Sequence, residues 1–214
     1  MKKPVIVVLL VALILVLAPS TLMAKISGDP LQQYKTPFLL TSGGQGAGSK
    51  MLRLLINQTK KLSYGENADF FLEDETPARY SYIDSGKYNA LVVVMSVTEK
   101  GLGASGITIE DEINFLKEVV KKAKAQNMSI IAVSMEKDAR SKISTNGNER
   151  VIDTICPEAD WIITITDNNT DGRFTDIGKK YGIPVTIVDK PLELVKVLPD
   201  IFVKYMRLRR NTCQ

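Results

Sequence analysis

"ALVVVMSVTEKGLGASGITIEDEINFLKEVVKKAKAQNMSIIAVSM", residues 90–135, holds the pattern that decides the fold. Its ends, "ALVVVMSV" (90–97) and "MSIIAVSM" (128–135), are short apolar runs rich in β-branched side chains, as expected of strands covered on both faces. Between them Ile109, Ile113, Leu116, Val120 and Ala123 recur at steps of four and three, which makes one apolar stripe on a helix spanning 109–125. Thr108 stands where an N-cap belongs. Glu110, Asp111 and Glu112 crowd the start, and Lys117, Lys121, Lys122 and Lys124 crowd the end, both in the sense that the helix dipole favours.

The same alternation continues outward. "PFLLTS" (37–42), "ADFFLE" (68–73), "WIITIT" (161–166) and "PVTIVD" (184–189) are further strand candidates separated by helical segments. Repeated strand–helix–strand units predict an α/β fold with a doubly wound parallel sheet. Five or six strands without a long insertion suggest the flavodoxin-like order 2-1-3-4-5, in one domain over residues 37–205. In such sheets ligands bind beyond the carboxyl ends of the strands where the order reverses, between strands one and three.

Two glycine loops fall at those two places. The first, "TSGGQGAGSK" (41–50), fails as a phosphate-binding Walker A loop, because Ser49 precedes Lys50 and the swap turns the lysine about 100° away around a helix start. The second matches G-x-G-x-x-G through Gly101, Gly103 and Gly106, but the acid expected about 20 residues later in a dinucleotide fingerprint is missing. Neither loop carries an aromatic side chain to stack on a flavin, and no cofactor is evident. What remains is a generic polar or anion site. Thr41, Ser42 and Gln45 offer side-chain hydrogen bonds, and Gly43, Gly44, Gly101 and Gly103 allow close backbone approach. Lys100, Ser105 and Arg140 complete the set expected at that edge. The plainer alternative is that the glycines only permit sharp turns.

A third loop, "DNNTDG" (167–172), fits the opening of a calcium loop, with Asp167, Asn169 and Asp171 as ligands, Gly172 at the turn and the Arg173 carbonyl beside it. The closing glutamate would fall at Gly178, with Asp176 the nearest substitute, so a helix-capping turn is the alternative. The chain has no histidine, which excludes Ser-His-Asp triads, Cys-His pairs and histidine-ligated zinc. Acid–base work would fall to carboxylates, lysine or tyrosine. Cys156 and Cys213 are the two cysteines, and sequence leaves open whether they pair.

Residues 1–24 read as a secretory signal peptide. Lys2 and Lys3 precede the apolar run "PVIVVLLVALILVLA", and cleavage is expected after Ala24. The alternative is an uncleaved membrane anchor. Either places the rest outside the cytoplasm, in the periplasm or beyond. Residues 25–36 read as a polar linker and 206–214 as a basic tail. Without the two leader lysines the net charge of +4 falls close to neutral, which gives no case for nucleic-acid binding. Membrane contact is expected only through the leader or the tail.

The three loops together resemble a family of exported bacterial proteins that carry a domain of unknown function on a flavodoxin-like sheet. The shared pattern is "TSGGQ" after the first strand, "KGLGASGI" opening the long helix and "DGRF" after the fifth strand, and the likeness covers residues 36–202. The resemblance implies a fold and an exported location but no settled activity. Relatives carry a glycine-rich basic stretch after strand four. Here that place reads "MEKDARSK", with only Arg140 in keeping, which implies weaker binding there. The expected function is binding of a small polar or anionic ligand at the sheet edge, serving a transporter or sensor. The alternative is a hydrolase or transferase using Ser42 with Lys50 or Lys100.

Overall fold

The computed structural model describes residues 24–73, 82–137, 140–141, 143 and 146–204. The leader up to residue 23, the tail and Cys213 lie outside them. The strands are β1 (Ile26–Gly28), β2 (Tyr34–Lys35), β3 (Phe38–Gly43), β4 (Phe70–Glu73), β5 (Ala90–Met95), β6 (Ser129–Ser134), β7 (Trp161–Ile165), β8 (Val185–Val188) and β9 (Phe202–Val203). The helices are α1 (Gly48–Gln58), α2 (Glu99–Ala104), α3 (Ile109–Ala125), α4 (Gly147–Ile155), α5 (Arg173–Tyr181) and α6 (Leu194–Ile201). Among the described residues no helix is long and apolar enough to cross a membrane.

The main sheet has seven strands in the order β1-β8-β7-β6-β5-β3-β4, all parallel except β1. The expectation of five or six strands in order 2-1-3-4-5 is therefore corrected. That order describes only β4 to β7, and the sheet continues through the parallel β8 to the antiparallel β1. The extra strand comes from the segment read as a linker. Ile26 pairs with Val188 and Gly28 with Thr186. The Asp29 carboxylate then accepts a 2.7 Å hydrogen bond from the Val185 N–H. A three-residue exposed strand carries no pattern of its own. The free edge of β8 supplies the partner, and β1 covers that edge. The rest of the segment is also used, since Tyr34–Lys35 pairs with Phe202–Val203.

Helices cover both faces because β5 is buried throughout and must be shielded twice. On one face Leu52 and Ile56 of α1 and Leu194, Leu198 and Ile201 of α6 pack on Phe38, Leu40, Val92 and Val94. On the other, Ile113 and Leu116 of α3, Val151 and Ile155 of α4 and Phe174 of α5 pack on Leu39, Leu91 and Val93. Helix α3 begins and ends where its sequence pattern places it. The Thr108 hydroxyl accepts from the Asp111 N–H while the Asp111 carboxylate accepts from the Thr108 N–H, a reciprocal capping box.

Candidate functional site

The carboxyl ends of β3 and β5 run side by side, with Gly43 opposite Met95. Beyond them the two glycine loops lock together. The Gly46 N–H donates to the Ser96 carbonyl at 2.7 Å, the Ser96 N–H to Gly43 at 2.9 Å and the Thr98 N–H to Gly44 at 3.2 Å. A Cβ at Gly46 would strike Ser96, and one at Gly101 would strike the Gln45 carbonyl. These glycines serve loop-to-loop contact, where no side chain fits.

Gly44 has φ +116° and Gln45 φ +61°. Their turn aims the Gly44 N–H at the carboxylate of Glu112, from the first turn of α3, at 2.8 Å. The Gln45 amide donates to the other Glu112 oxygen at 3.1 Å and accepts from the Ser105 hydroxyl at 3.3 Å. The anion position expected after the first strand is thus filled by the chain's own fully buried carboxylate. Glu112 escaped the sequence reading because it sits among acids that suit the helix dipole. The available signal was its register, three residues after Ile109 and four before Leu116, on the buried stripe.

Thr41, Ser42, Gly43, Gly44, Gln45, Gly101 and Ser105 are therefore gathered at one edge. Lys100 and Gly103 are not part of it. Lys100 is exposed on α2. Gly103 is a helical residue without a positive φ and with open space around it, so no neighbour makes a close backbone approach there. Ser42 forms no hydrogen-bonded pair with Lys50 or Lys100, since its hydroxyl is buried without a partner among the described residues and both lysines are exposed.

Two hydroxyls stand out. Ser42 Oγ and Ser49 Oγ are fully buried and have no hydrogen-bond partner among the described residues. Ser49 shares with Leu52 and Ile56 the stripe of α1 that faces the sheet, at intervals of three and four. Ser42 lies on the same face of β3 as Phe38 and Leu40, the residues that Leu52 and Ile56 cover. Beside them the Ser96 hydroxyl donates to Glu136, whose other oxygen lies 3.6 Å from where a Cβ at Gly48 would stand. Ser49 entered the sequence reading only as a misplaced Walker residue. Glu136 belongs to no motif in the sequence.

Arg140 belongs to a neighbouring cluster. Its guanidinium lies over the Phe174 ring and pairs with Glu149 at 2.6 Å and Asp171 at 2.8 Å. It also donates to the Asn168 carbonyl. Arg173 holds the other side of the buried Glu149 at 2.9 Å and Asp153 at 2.6 Å. Asn168 links this cluster to the sheet edge by donating to Ser134 and to the Glu136 carbonyl, each at 3.0 Å. Burial pushes the Asp171 carboxyl up, but hydrogen bonds from Arg140 and from the Arg173 N–H outweigh it and leave the pKa below the ordinary value.

The residues of the calcium pattern are committed elsewhere. Asn169 Oδ1 accepts from the Phe174 N–H at 2.9 Å and so caps α5, and Asp171 is held by Arg140. Gly172 takes φ +76° at the turn, and Asp167 is exposed. Among the described residues no group of three or more Asp, Glu, Cys or His is placed to hold a metal ion. The Cys156 thiol is buried against Met95 Sδ at 3.7 Å, and burial pushes its pKa well up.

A mostly parallel α/β sheet with its polar groups gathered beyond the strand ends, where the strand order reverses, defines the class as an α/β domain. The chain belongs to the family described as Domain of unknown function (DUF6305), whose model matches residues 35–202. A comparison with curated proteins gives no match. Among solved structures, it is similar to the psychrotrophic esterase EstA from Pseudoalteromonas sp., in a form inhibited by monoethylphosphonate. That likeness has 15% identity, covers 70% of this chain and 76% of that one, and has a TM-score of 0.31. It is also similar to TesA, at 10% identity over 70% of this chain and 77% of that one, with a TM-score of 0.26. Overlaps this loose carry no chemistry to the present chain.

Proposed function

We propose that the protein binds a small polar molecule beyond the carboxyl ends of β3 and β5, at the start of α1. The observation that carries this reading is the pair of buried hydroxyls, Ser42 and Ser49, that lack partners among the described residues. Leaving one such group unsatisfied costs about 1–3 kcal/mol, and native proteins keep few of them. A ligand hydrogen-bonded to both removes that cost. The position also supports it: β4 lies on one side of β3 and β5 on the other, so the chain's winding reverses there. Exported through its leader, such a protein would carry its ligand to a transporter or sensor. A retained leader would hold it at the membrane.

The test is mass spectrometry of small molecules released by denaturing the purified full-length protein. The expected result is one compound at close to one per chain, lost from Ser42→Ala and Ser49→Ala. Release of nothing from the parent protein, or full retention by both variants, would sink the reading.

A further inference from the structure

We infer that the groove between α3 and α4 is a second binding site, for a small monocarboxylate with an apolar body. It lies on the face of the sheet opposite α1 and does not rest on the binding read at Ser42 and Ser49. The groove measures about 670 Å³, inside the range of about 300–1,000 Å³ usual for small-molecule sites. Val120 of α3 and Pro157, in the turn after α4, give it an apolar lining. Lys117, Lys121 and Lys124 stand along one wall at steps of four and three, so all three lie on one side of α3. The two helices run side by side in the same direction, and ion pairs bridge them at both ends. Arg150 holds Glu110 at 2.7 Å near their starts, and Lys124 holds Glu158 at 2.5 Å near their ends. The lining stretch of α3, residues 117–124, is about 10 Å long. That length suits a molecule of one or two rings or a short acyl chain. The bridges leave no open run along which a peptide could extend.

The charges around the groove select the sign of the ligand. Both of its acids are committed, Glu158 to Lys124 and Asp153 to Arg173 at 2.6 Å. Lys121 pairs along its own helix with Glu118 at 3.6 Å. The Thr154 hydroxyl donates to the Arg150 carbonyl at 2.8 Å, which leaves it no proton for a ligand. Lys117 is exposed and is the one lysine of the wall with no partner among the described residues. A cation would therefore face three ammonium groups with no free carboxylate to receive it. One unpaired ammonium beside an apolar lining matches one negative charge on an apolar body. Inorganic phosphate would gain nothing from Val120 and Pro157, and a neutral ring would gain nothing from Lys117.

The experiment is an amide NMR titration of the full-length protein with indole-3-acetate, 3-phenylpropanoate and hexanoate. Each is taken to about 10 mM, ten times a Kd of about 1 mM. At least one acid should give saturable shifts grouped at the amides of residues 117–124 and 153–158. Its uncharged amide, with the same apolar body, should bind about two- to fivefold more weakly, the worth of one exposed ion pair. Lys117→Met keeps the apolar stem and should weaken the acid by the same factor, while Lys117→Arg should restore it. Salt at about 0.5 M should erase the difference between acid and amide. Lys117 is exposed, so its variants should keep the parent spectrum elsewhere. Absence of saturable shifts in the groove with all three acids would overturn the inference. So would equal binding of acid and amide, shifts with inorganic phosphate as large as with the acids, or unchanged affinity in Lys117→Met. Shifts centred on α1 instead would support the binding read at Ser42 and Ser49 and overturn this one.

Discussion

The carboxylate of Glu112 accepts a 2.8 Å hydrogen bond from the backbone N–H of Gly44, across 68 residues of sequence. The contact ties the start of α3 to the loop after β3 and sets the Gln45 side chain through a second bond. Glu112→Ala would leave a buried N–H without an acceptor. It should cost about 2–3 kcal/mol in denaturant unfolding, with an unchanged m-value. A loss below about 0.5 kcal/mol, the scale of an ordinary surface change, would show that the contact does not hold the loop.

The pair of arginines around Glu149 predicts strong non-additivity. Glu149 is buried, with Arg140 on one side and Arg173 on the other. Glu149→Ala leaves two guanidinium groups facing each other and should destabilise by about 3–5 kcal/mol. In a double-mutant cycle with Arg140→Ala the two losses should overlap, because the second change removes what the first left unpaired. Simple additivity would mean the groups do not interact.

Acid stability follows from Asp171. Its folded-state pKa is lowered, because hydrogen bonds from Arg140 and the Arg173 N–H outweigh burial. A depressed carboxylate contributes stability that is present above its unfolded pKa of about 3.9 and is lost as pH falls through the lower folded value. Asp171→Asn should therefore flatten the fall in stability below about pH 4 while leaving the slope near neutral pH alone. Parallel acid-unfolding curves for the two proteins would contradict this. Asp171 is the exposed member of the pair, so the effect should weaken in high salt.

How far this was legible in the sequence differs between elements. Helix α3 was readable end to end because stripe, cap and charge all pointed one way. The six parallel strands were readable as apolar runs. β1 was not, since Ile26–Gly28 is exposed and gains its structure only from the edge of β8. At the site, the first glycine loop marked the place but not the partner. Glu112 and Glu136 look like ordinary helix-start and loop acids until the fold brings them beside Gly44 and Gly48. Long-range pairing of this kind leaves no local pattern to read.

Calcium gives a direct check on the loop after β7. Asn169 already caps α5 and Asp171 already holds Arg140, so binding would require both to be released. Calorimetry with about 5 mM calcium, above the range of weak extracellular sites, should leave Tm unchanged relative to a chelator. A calcium-dependent rise abolished by Asp171→Ala would support calcium binding at this loop instead.

Cys156 should be inert in the folded protein. Its thiol is buried and its pKa is pushed up, so thiolate is scarce. Alkylation followed by intact-mass measurement should leave Cys156 unmodified until denaturant is added. Labelling of Cys156 under native conditions would mean that the packing of α4 against β5 opens readily.

The most direct test of the central claim is a high-resolution crystal structure of the protein as purified, read around Ser42 and Ser49. The account predicts density for one ordered small molecule hydrogen-bonded to both serine hydroxyls. A single ordered water joining the two hydroxyls, with nothing else beside them, would contradict it and reduce the cluster to a hydrated turn.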